Sequence, residues 1–172
     1  MTENIDNPQL QLAFDFVQQT NTNIFLTGKA GTGKTTFLRT LKTRSPKRMI
    51  VVAPTGVAAI NAGGVTIHSF FQLHFGPHLP VDSNTEATNK DPENQKNLRD
   101  SEHRFGREKI NIIRSLDLLI IDEISMVRAD LLDGIDNVLR RYKDKQKPFG
   151  GVQLLMIGDL QQLAPVVKDD EW

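Results

Sequence analysis

The chain has no cysteine, which excludes disulfides, thiolate zinc sites and cysteine nucleophiles at the outset. It has no net charge either. The 21 Lys and Arg balance the 21 Asp and Glu, so no overall basic character announces a nucleic-acid partner. No apolar run approaches membrane-spanning length, and no internal repeat is present. The first residues, Met1-Thr2-Glu3-Asn4-Ile5-Asp6, are polar and acidic and lack the basic-then-apolar order of a signal peptide. These absences lead us to expect a soluble, cytoplasmic protein with no membrane partner. At 172 residues it can bury one good core, and length alone favours a single domain.

What is present begins with a glycine-rich loop, Gly28-Lys29-Ala30-Gly31-Thr32-Gly33-Lys34-Thr35. It lies between an apolar strand candidate, Ile24 to Thr27, and a helix that the pattern starts near Lys34. G-x-x-x-x-G-K-[ST] in that setting is a phosphate cradle. Its glycines let backbone N–H groups turn inward, and the helix N-terminus adds partial positive charge. Lys34 can reach the β- and γ-phosphates, and the Thr35 hydroxyl is placed to ligate Mg²⁺. The expected ligand is a nucleoside triphosphate.

Four short apolar runs, Ile24–Thr27, Met49–Ala53, Leu116–Ile121 and Val152–Ile157, read as strands. They are near-continuously apolar rather than alternating, which fits strands buried on both faces of a mainly parallel sheet. Asn7-Pro8 opens a helix carrying Leu10, Phe14 and Val17, which should end before Asn21. Phe37, Leu38 and Leu41 give the phosphate-loop helix an apolar face. Leu131, Leu132, Ile135, Val138 and Leu139 mark another helix from near Ala129. The fold class is therefore α/β, a P-loop NTPase with helices flanking the sheet. Two basic clusters, Arg39 to Arg48 and Arg140 to Lys147, read as solvated helix ends. Gly76 to Arg107, rich in Pro, Asn, Asp and Lys, breaks the pattern and reads as an insertion on the nucleotide-binding lobe, either functional or a mobile loop.

The third strand runs into Asp122-Glu123, at the carboxyl edge of the sheet where ligands of such folds bind. Asp122 suits the Mg²⁺ shell, and Glu123 suits acceptance of a proton from an attacking water. Capping the turn into Ile124 is the other use for an acid at either position. The fourth strand runs into Gly158-Asp159-Leu160-Gln161-Gln162, and an amide there can sense the γ-phosphate. Chemistry alone does not choose between Gln161 and Gln162. Finally, Ala53-Pro54-Thr55-Gly56-Val57-Ala58-Ala59, followed by Gly63-Gly64-Val65-Thr66-Ile67-His68-Ser69-Phe70-Phe71, places small residues and hydroxyls at a strand tip. Such a surface accepts phosphates of a nucleic-acid strand without reading its sequence. Phe70 and Phe71 read as core packing rather than base-stacking platforms.

Together these segments resemble the PIF family of DNA helicases, in superfamily one, type B, related to RecD. The resemblance rests on Gly28 to Thr36, Ala53 to Ala59, Gly63 to Phe71, Ile121 to Val127 and Gly158 to Val166, in the family's order. It implies ATP-driven, 5′-to-3′ translocation on single-stranded DNA with duplex or quadruplex unwinding. It implies nucleotide contacts at Gly28, Ala30, Gly31, Thr32, Gly33, Lys34, Thr35 and Thr36, with Thr35 and Asp122 at the metal and Lys34, Glu123 and Gln162 in catalysis. It implies single-strand contacts at Pro54, Thr55, Gly56, His68 and Ser69, and a small wedge-like subdomain at the strand-separation fork where the Gly76 to Arg107 insertion stands. The family often reads adenine with a glutamine near the N-terminal helix, where both Gln9 and Gln11 stand here. The sequence stops at Trp172, after the fourth strand, so the expectation is a first RecA-like lobe spanning 1–172 without the second motor lobe that supplies an arginine.

Two other classes share the phosphate loop. A stand-alone nucleotide-binding regulatory module would bind ATP or ADP tightly and ignore DNA. A small phosphoryl-transfer kinase would use Arg99, Arg104 and Arg107 as a lid, although an adjacent Asp-Glu pair suits attack by water better.

Overall fold

The computed structural model describes residues 7–29, 31–74, 105–159 and 161. Helix α1 (Pro8–Gln19) opens with the Asn7 side chain accepting the Gln9 N–H, and proline occupies the first turn. Strand β1 (Ile24–Thr27) leads through the phosphate loop into α2 (Lys34–Arg44). Next come β2 (Met49–Ala53), α3 (Gly56–Ala62), the two-residue β3 (Val65–Thr66) and α4 (Ile67–Phe71). Helix α5 (Arg107–Ser115) precedes β4 (Leu118–Ile121), and α6 (Ala129–Tyr142) precedes β5 (Gln153–Gly158).

The described strands form one sheet in the order β1-β5-β4-β2-β3, and each neighbouring pair is parallel. Each loop that follows a strand therefore emerges at one edge. Period-two alternation sends side chains to two different layers. Leu118 and Ile120 of β4 join Leu155 and Ile157 of β5 against Phe14, Val17, Phe37 and Leu41 of α1 and α2. Leu119 and Ile121 point the other way, with Leu154, against Phe71, Ile113, Ile135 and Leu139 of α4, α5 and α6. Phe70 and Phe71 are buried and meet edge to face at 4.9 Å, as core residues.

The opposite edge of the sheet is tied by polar side chains. Arg48 and Asp117, just before β2 and β4, form a bidentate pair with both N···O distances at 2.9 Å. The Lys47 ammonium bonds the buried Gln153 amide oxygen at 2.7 Å and the Thr20 carbonyl at 2.8 Å. Arg44 stacks over the Phe14 ring at 4.9 Å, Arg140 pairs with Asp136, and Lys143 caps the Leu116 carbonyl. Much of both basic clusters thus serves helix ends and this floor.

The structure departs from the sequence reading in three places. Leu116 ends α5 as its C-cap, so the third strand starts at Leu118, and the fourth runs Gln153–Gly158 rather than Val152–Ile157. Helices α3, α4 and α5 and strand β3 carry no signal that the sequence reading used; the residues 53–71 read as one strand tip fold into α3, β3 and α4. Of the polar segment from Gly76 to Arg107, residues 76–104 lie outside the described residues. Its described end belongs to the lobe itself: Phe105 is buried in the core and Arg107 opens α5.

Glycine is required where β3 turns in beside β2. A Cβ on Gly64 would stand 2.2 Å from the Val51 carbonyl oxygen, whereas one on Gly56 would meet nothing within 4 Å. Gly64→Ala is expected to cost about 1–3 kcal/mol through forced displacement of the backbone. Gly56→Ala, at an unstrained helical position, should be neutral or stabilising by up to about 1 kcal/mol. Urea melts of the two variants check the contrast.

Candidate functional site

The phosphate loop takes its shape from two left-handed glycines, Gly31 at φ 81° and Gly33 at φ 89°. Gly33 is the N-cap of α2 and would meet Leu10 of α1 if it carried a Cβ, so Gln9 and Gln11 stand beside the loop. The Gln11 amide is already engaged, donating to Asp15 at 2.9 Å, while Gln9 is exposed. The Lys34 ammonium folds inward to donate to the Gly28 carbonyl and, at 2.9 Å, to the Lys29 carbonyl. Thr32 closes the turn by donating to Lys29 at 2.9 Å. Ala30 lies outside the described residues.

Asp122 continues the sheet, its N–H donating to the Val52 carbonyl at 2.9 Å. Its carboxylate accepts the N–H of Glu123 at 3.1 Å, and Glu123 itself takes a left-handed conformation, φ 53° and ψ 46°. A glutamate in that region is uncommon and costs conformational energy. The backbone reversal turns the chain into the short helical turn Ile124–Met126. Glu123 occupies the N-cap of that turn without making a side-chain capping bond, so neither acid is spent as an ordinary cap.

Asp122 and Glu123 line a cavity of about 350 Å³ together with Thr35, Thr55, Asn61 and Ser125. The Ser125 hydroxyl is buried with no hydrogen-bond partner among the described residues. The cavity thus joins the first turn of the phosphate-loop helix to α3. Thr55 caps α3 by accepting the Ala58 N–H at 3.2 Å, and Thr66 caps α4 by accepting the Ser69 N–H at 3.2 Å. The two hydroxyl caps fix the turns that carry Pro54, Thr55 and Gly56 and, across β2 and β3, His68 and Ser69. Below the second turn, Lys109 of α5 donates to the Ser69 carbonyl at 3.2 Å and sits over the Phe70 and Phe105 rings at 4.8 and 5.3 Å.

Burial pushes the Asp122 carboxyl above the ordinary range, against the pull of the Glu123 N–H and the Lys34 charge. Burial also raises Glu123, and the negative charges of Asp122 and Asp159 raise it further while Lys34 draws it down. Such a carboxylate holds a proton more readily than a solvated one. Asp159 is a buried acid at the tip of β5 that the sequence reading passed over. Its signal was there: like Asp122, it follows directly on an apolar strand. Asp159 accepts the Gln161 N–H at 3.0 Å, and Gln161 is exposed; Gln162 lies outside the described residues.

This geometry brings Thr35, Asp122, Glu123 and Thr55 to one cavity and Lys34 into electrostatic reach of both acids. A sequence model of the PIF1-like helicases matches residues 9–171. The chain belongs to the PIF1-like helicase family. It is 37% identical over 150 residues to the human ATP-dependent DNA helicase PIF1, and 35% identical over 162 residues to the ATP-dependent DNA helicase RRM3 of Saccharomyces cerevisiae. Those alignments cover 87% and 91% of this chain but only 21% and 20% of the relatives, so the chain spans about a fifth of the length of these helicases. Among solved structures, Bacteroides Pif1 in complex with ADP-AlF4 superposes at TM-score 0.83 with 47% identity, over 98% of this chain and 35% of that one. Bacteroides Pif1 bound to single-stranded DNA gives 0.80, and the Candida albicans Pif1 helicase gives 0.70 at 34% identity, each over 98% of this chain and 35% and 36% of theirs. The shared fold is the RecA-like P-loop α/β lobe. Among the described residues, no helix is long and apolar enough to cross a membrane.

Asp159→Asn removes one of the negative charges that oppose Glu123 ionisation, so the Glu123 carboxyl should titrate at lower pH. Carboxyl carbon NMR across an acid titration measures this directly. An unchanged or raised Glu123 midpoint would contradict the electrostatic account.

Proposed function

We propose that this chain is the first, nucleotide-binding motor lobe of an ATP-driven DNA helicase that moves 5′ to 3′ along single-stranded DNA and unwinds duplex. The observation that carries the reading is the one cavity walled by Thr35 of the phosphate-loop helix, Asp122 and Glu123 of β4, and Thr55 of the α3 cap. A nucleotide and a nucleic-acid backbone held at those walls are neighbours. Relatives named ATP-dependent DNA helicases and the Bacteroides complexes with ADP-AlF4 and with single-stranded DNA support the same assignment. In this reading the protein works inside the cell, with the nucleic acid.

In this reading the loop from Gly28 to Thr36, Ala30 included, surrounds the phosphates with backbone N–H groups, and Lys34 exchanges its loop carbonyls for phosphate oxygens. Thr35 and Asp122 fit a Mg²⁺ site, since a hydroxyl and a carboxylate on one cavity wall are hard oxygen donors. When bound, the ion would supply charge neutralisation for the phosphates. Glu123 orients water and takes its proton as the oxygen attacks the γ-phosphorus and the bond to the β-phosphate oxygen breaks. Gln162 is assigned to sensing the γ-phosphate. Pro54, Thr55, Gly56, His68 and Ser69 form the single-strand track, and the 76–107 segment serves as a wedge at the fork. A second motor lobe contributes an arginine worth roughly 10³–10⁵ in turnover, so this lobe alone should hydrolyse ATP slowly. Rapid turnover by the lobe alone would contradict that dependence.

The test compares binding of oligo-dT with binding of an equally long duplex, with and without nucleotide. Preference for oligo-dT that depends on nucleotide supports the reading. Tight nucleotide binding without DNA affinity would favour a stand-alone regulatory module instead. In the full-length protein Lys34→Ala should weaken ATP binding at least about tenfold, whereas Glu123→Gln should keep binding and lower hydrolysis by about 10² or more. Normal hydrolysis by Glu123→Gln would remove it from the role of base.

A further inference from the structure

The joint between α3 and β3 is held from an unexpected direction. Helix α3 ends at Ala62 with Gly63 as a left-handed C-cap at φ 61°. The Gly63 N–H bonds the Ile60 carbonyl at 3.0 Å and the Gly64 N–H bonds the Ala59 carbonyl at 2.8 Å, closing the helix end. One side chain takes the carbonyls of both Ala62 and Gly63. Lys42, in the last turn of α2, donates from its ammonium to the Ala62 oxygen at 2.9 Å and the Gly63 oxygen at 2.7 Å. A positive charge against a helix C-terminus is favourable on its own account. On its other side the same corner is pressed against β2, where Gly64 leaves no room for a Cβ beside the Val51 carbonyl.

We propose that Lys42 is a positioning residue that couples the nucleotide site to the single-strand track. Helix α2 begins at the phosphate loop, with Lys34 and Thr35 in its first turn, and ends at Lys42 and Arg44. Helix α3 begins at the Thr55 cap and ends at the carbonyls Lys42 holds, and β3 continues from there into the Thr66 cap below His68 and Ser69. The ammonium is therefore a two-bond link, spanning 20 and 21 residues of sequence, between the helix that answers to phosphate and the segment between the two halves of the track. A shift of α2 on nucleotide binding is passed to that corner through these bonds. Lys42 touches no reacting atom. Its role is to make α2 and the α3–β3 corner move together, and it rests on the motor-lobe reading given above.

Anisotropy of fluorescein-labelled oligo-dT, titrated with the full-length protein without nucleotide and with Mg²⁺-ADP-aluminium fluoride, yields the ratio of two affinities. The wild-type ratio should depart from unity by at least about fivefold. In Lys42→Met, which keeps the chain length but removes the charge and the donors, it should fall to within about twofold of unity. Affinity for a fluorescent ADP analogue should stay within about twofold of wild type. Lys42→Arg, with cation and donors retained, should restore the ratio. Gly63→Asn attacks the link from the other side: its Cβ would stand 3.0 Å from the ammonium, and asparagine tolerates the left-handed backbone. It should lower the ratio as well, which keeps the test intact if Lys42→Met does not fold.

A folded Lys42→Met or Gly63→Asn with the wild-type ratio overturns the inference and leaves the motor-lobe reading standing. So does a wild-type ratio of unity with oligo-dT still bound. A loss of ratio matched by equal loss of nucleotide affinity, without rescue by Lys42→Arg, would reduce Lys42 to a purely structural contact. Absence of oligo-dT binding by the wild-type protein would fell the functional reading, and this inference with it.

Discussion

The parallel ladder around β4 is the constraint on which the rest of the molecule depends. All four of its residues, Leu118 to Ile121, are buried, and its backbone is bonded on both sides, to β2 and to β5. A strand in that position must be apolar on both faces, and helices must cover both. Parallel pairing then requires each crossover to return the chain to the same starting edge, so the tips of β1, β2, β4 and β5 share the other one. The phosphate loop, the Thr55 turn, Asp122 with Glu123, and Asp159 are brought together by this geometry rather than by any attraction between them. Indeed, like charges among them repel.

That repulsion is part of the chemistry. Asp122, Glu123 and Asp159 crowd one end of the sheet, with Lys34 as the cation that reaches the first two. A folded chain holds such acids at that edge only because the buried strands beneath are far more costly to disturb than the carboxyls are to crowd. Burial raises both the Asp122 and the Glu123 carboxyl beside a loop shaped for phosphate, and repulsion from Asp122 and Asp159 adds to the rise of Glu123. A polyphosphate approaching three acids needs neutralisation beyond one lysine, which is the physical reason a divalent cation belongs in the proposed reaction. The left-handed Glu123 adds a second local cost at the same place, as expected where the backbone is shaped for chemistry rather than stability.

Much of this could be read from the sequence because it is local. The apolar runs from Ile24, Met49, Leu116 and Val152 each contain a strand, with the last two starting at Leu118 and Gln153, the Asn7-Pro8 cap starts α1, and Gly33-Lys34 starts α2. The acids at strand tips announce themselves by position, Asp159 included, since it follows β5 directly. What could not be read is non-local. β3 is two residues long and exists because Val65 and Thr66 pair with Val52 and Ala53. Helix α5 exposes most of its surface and buries little more than Ile113, so its apolar pattern is short. Lys42 and Lys109 resemble any surface lysines in sequence. Their partners, carbonyls 20 to 40 residues away, leave no periodic trace. Both basic clusters show the same limit from the other side: their charge is visible, but only the fold reveals how much of it serves the floor of the sheet.

Nucleotide and single-stranded nucleic acid are proposed to meet this lobe at adjoining parts of one sheet edge. Amide hydrogen exchange on the protein, with Mg²⁺-ADP and with oligo-dT added separately, tests it most directly. The account predicts that nucleotide slows exchange across residues 28–36 and that oligo-dT slows exchange across residues 54–69. Protection by oligo-dT at the opposite edge instead, around Arg140 to Lys147, would contradict it.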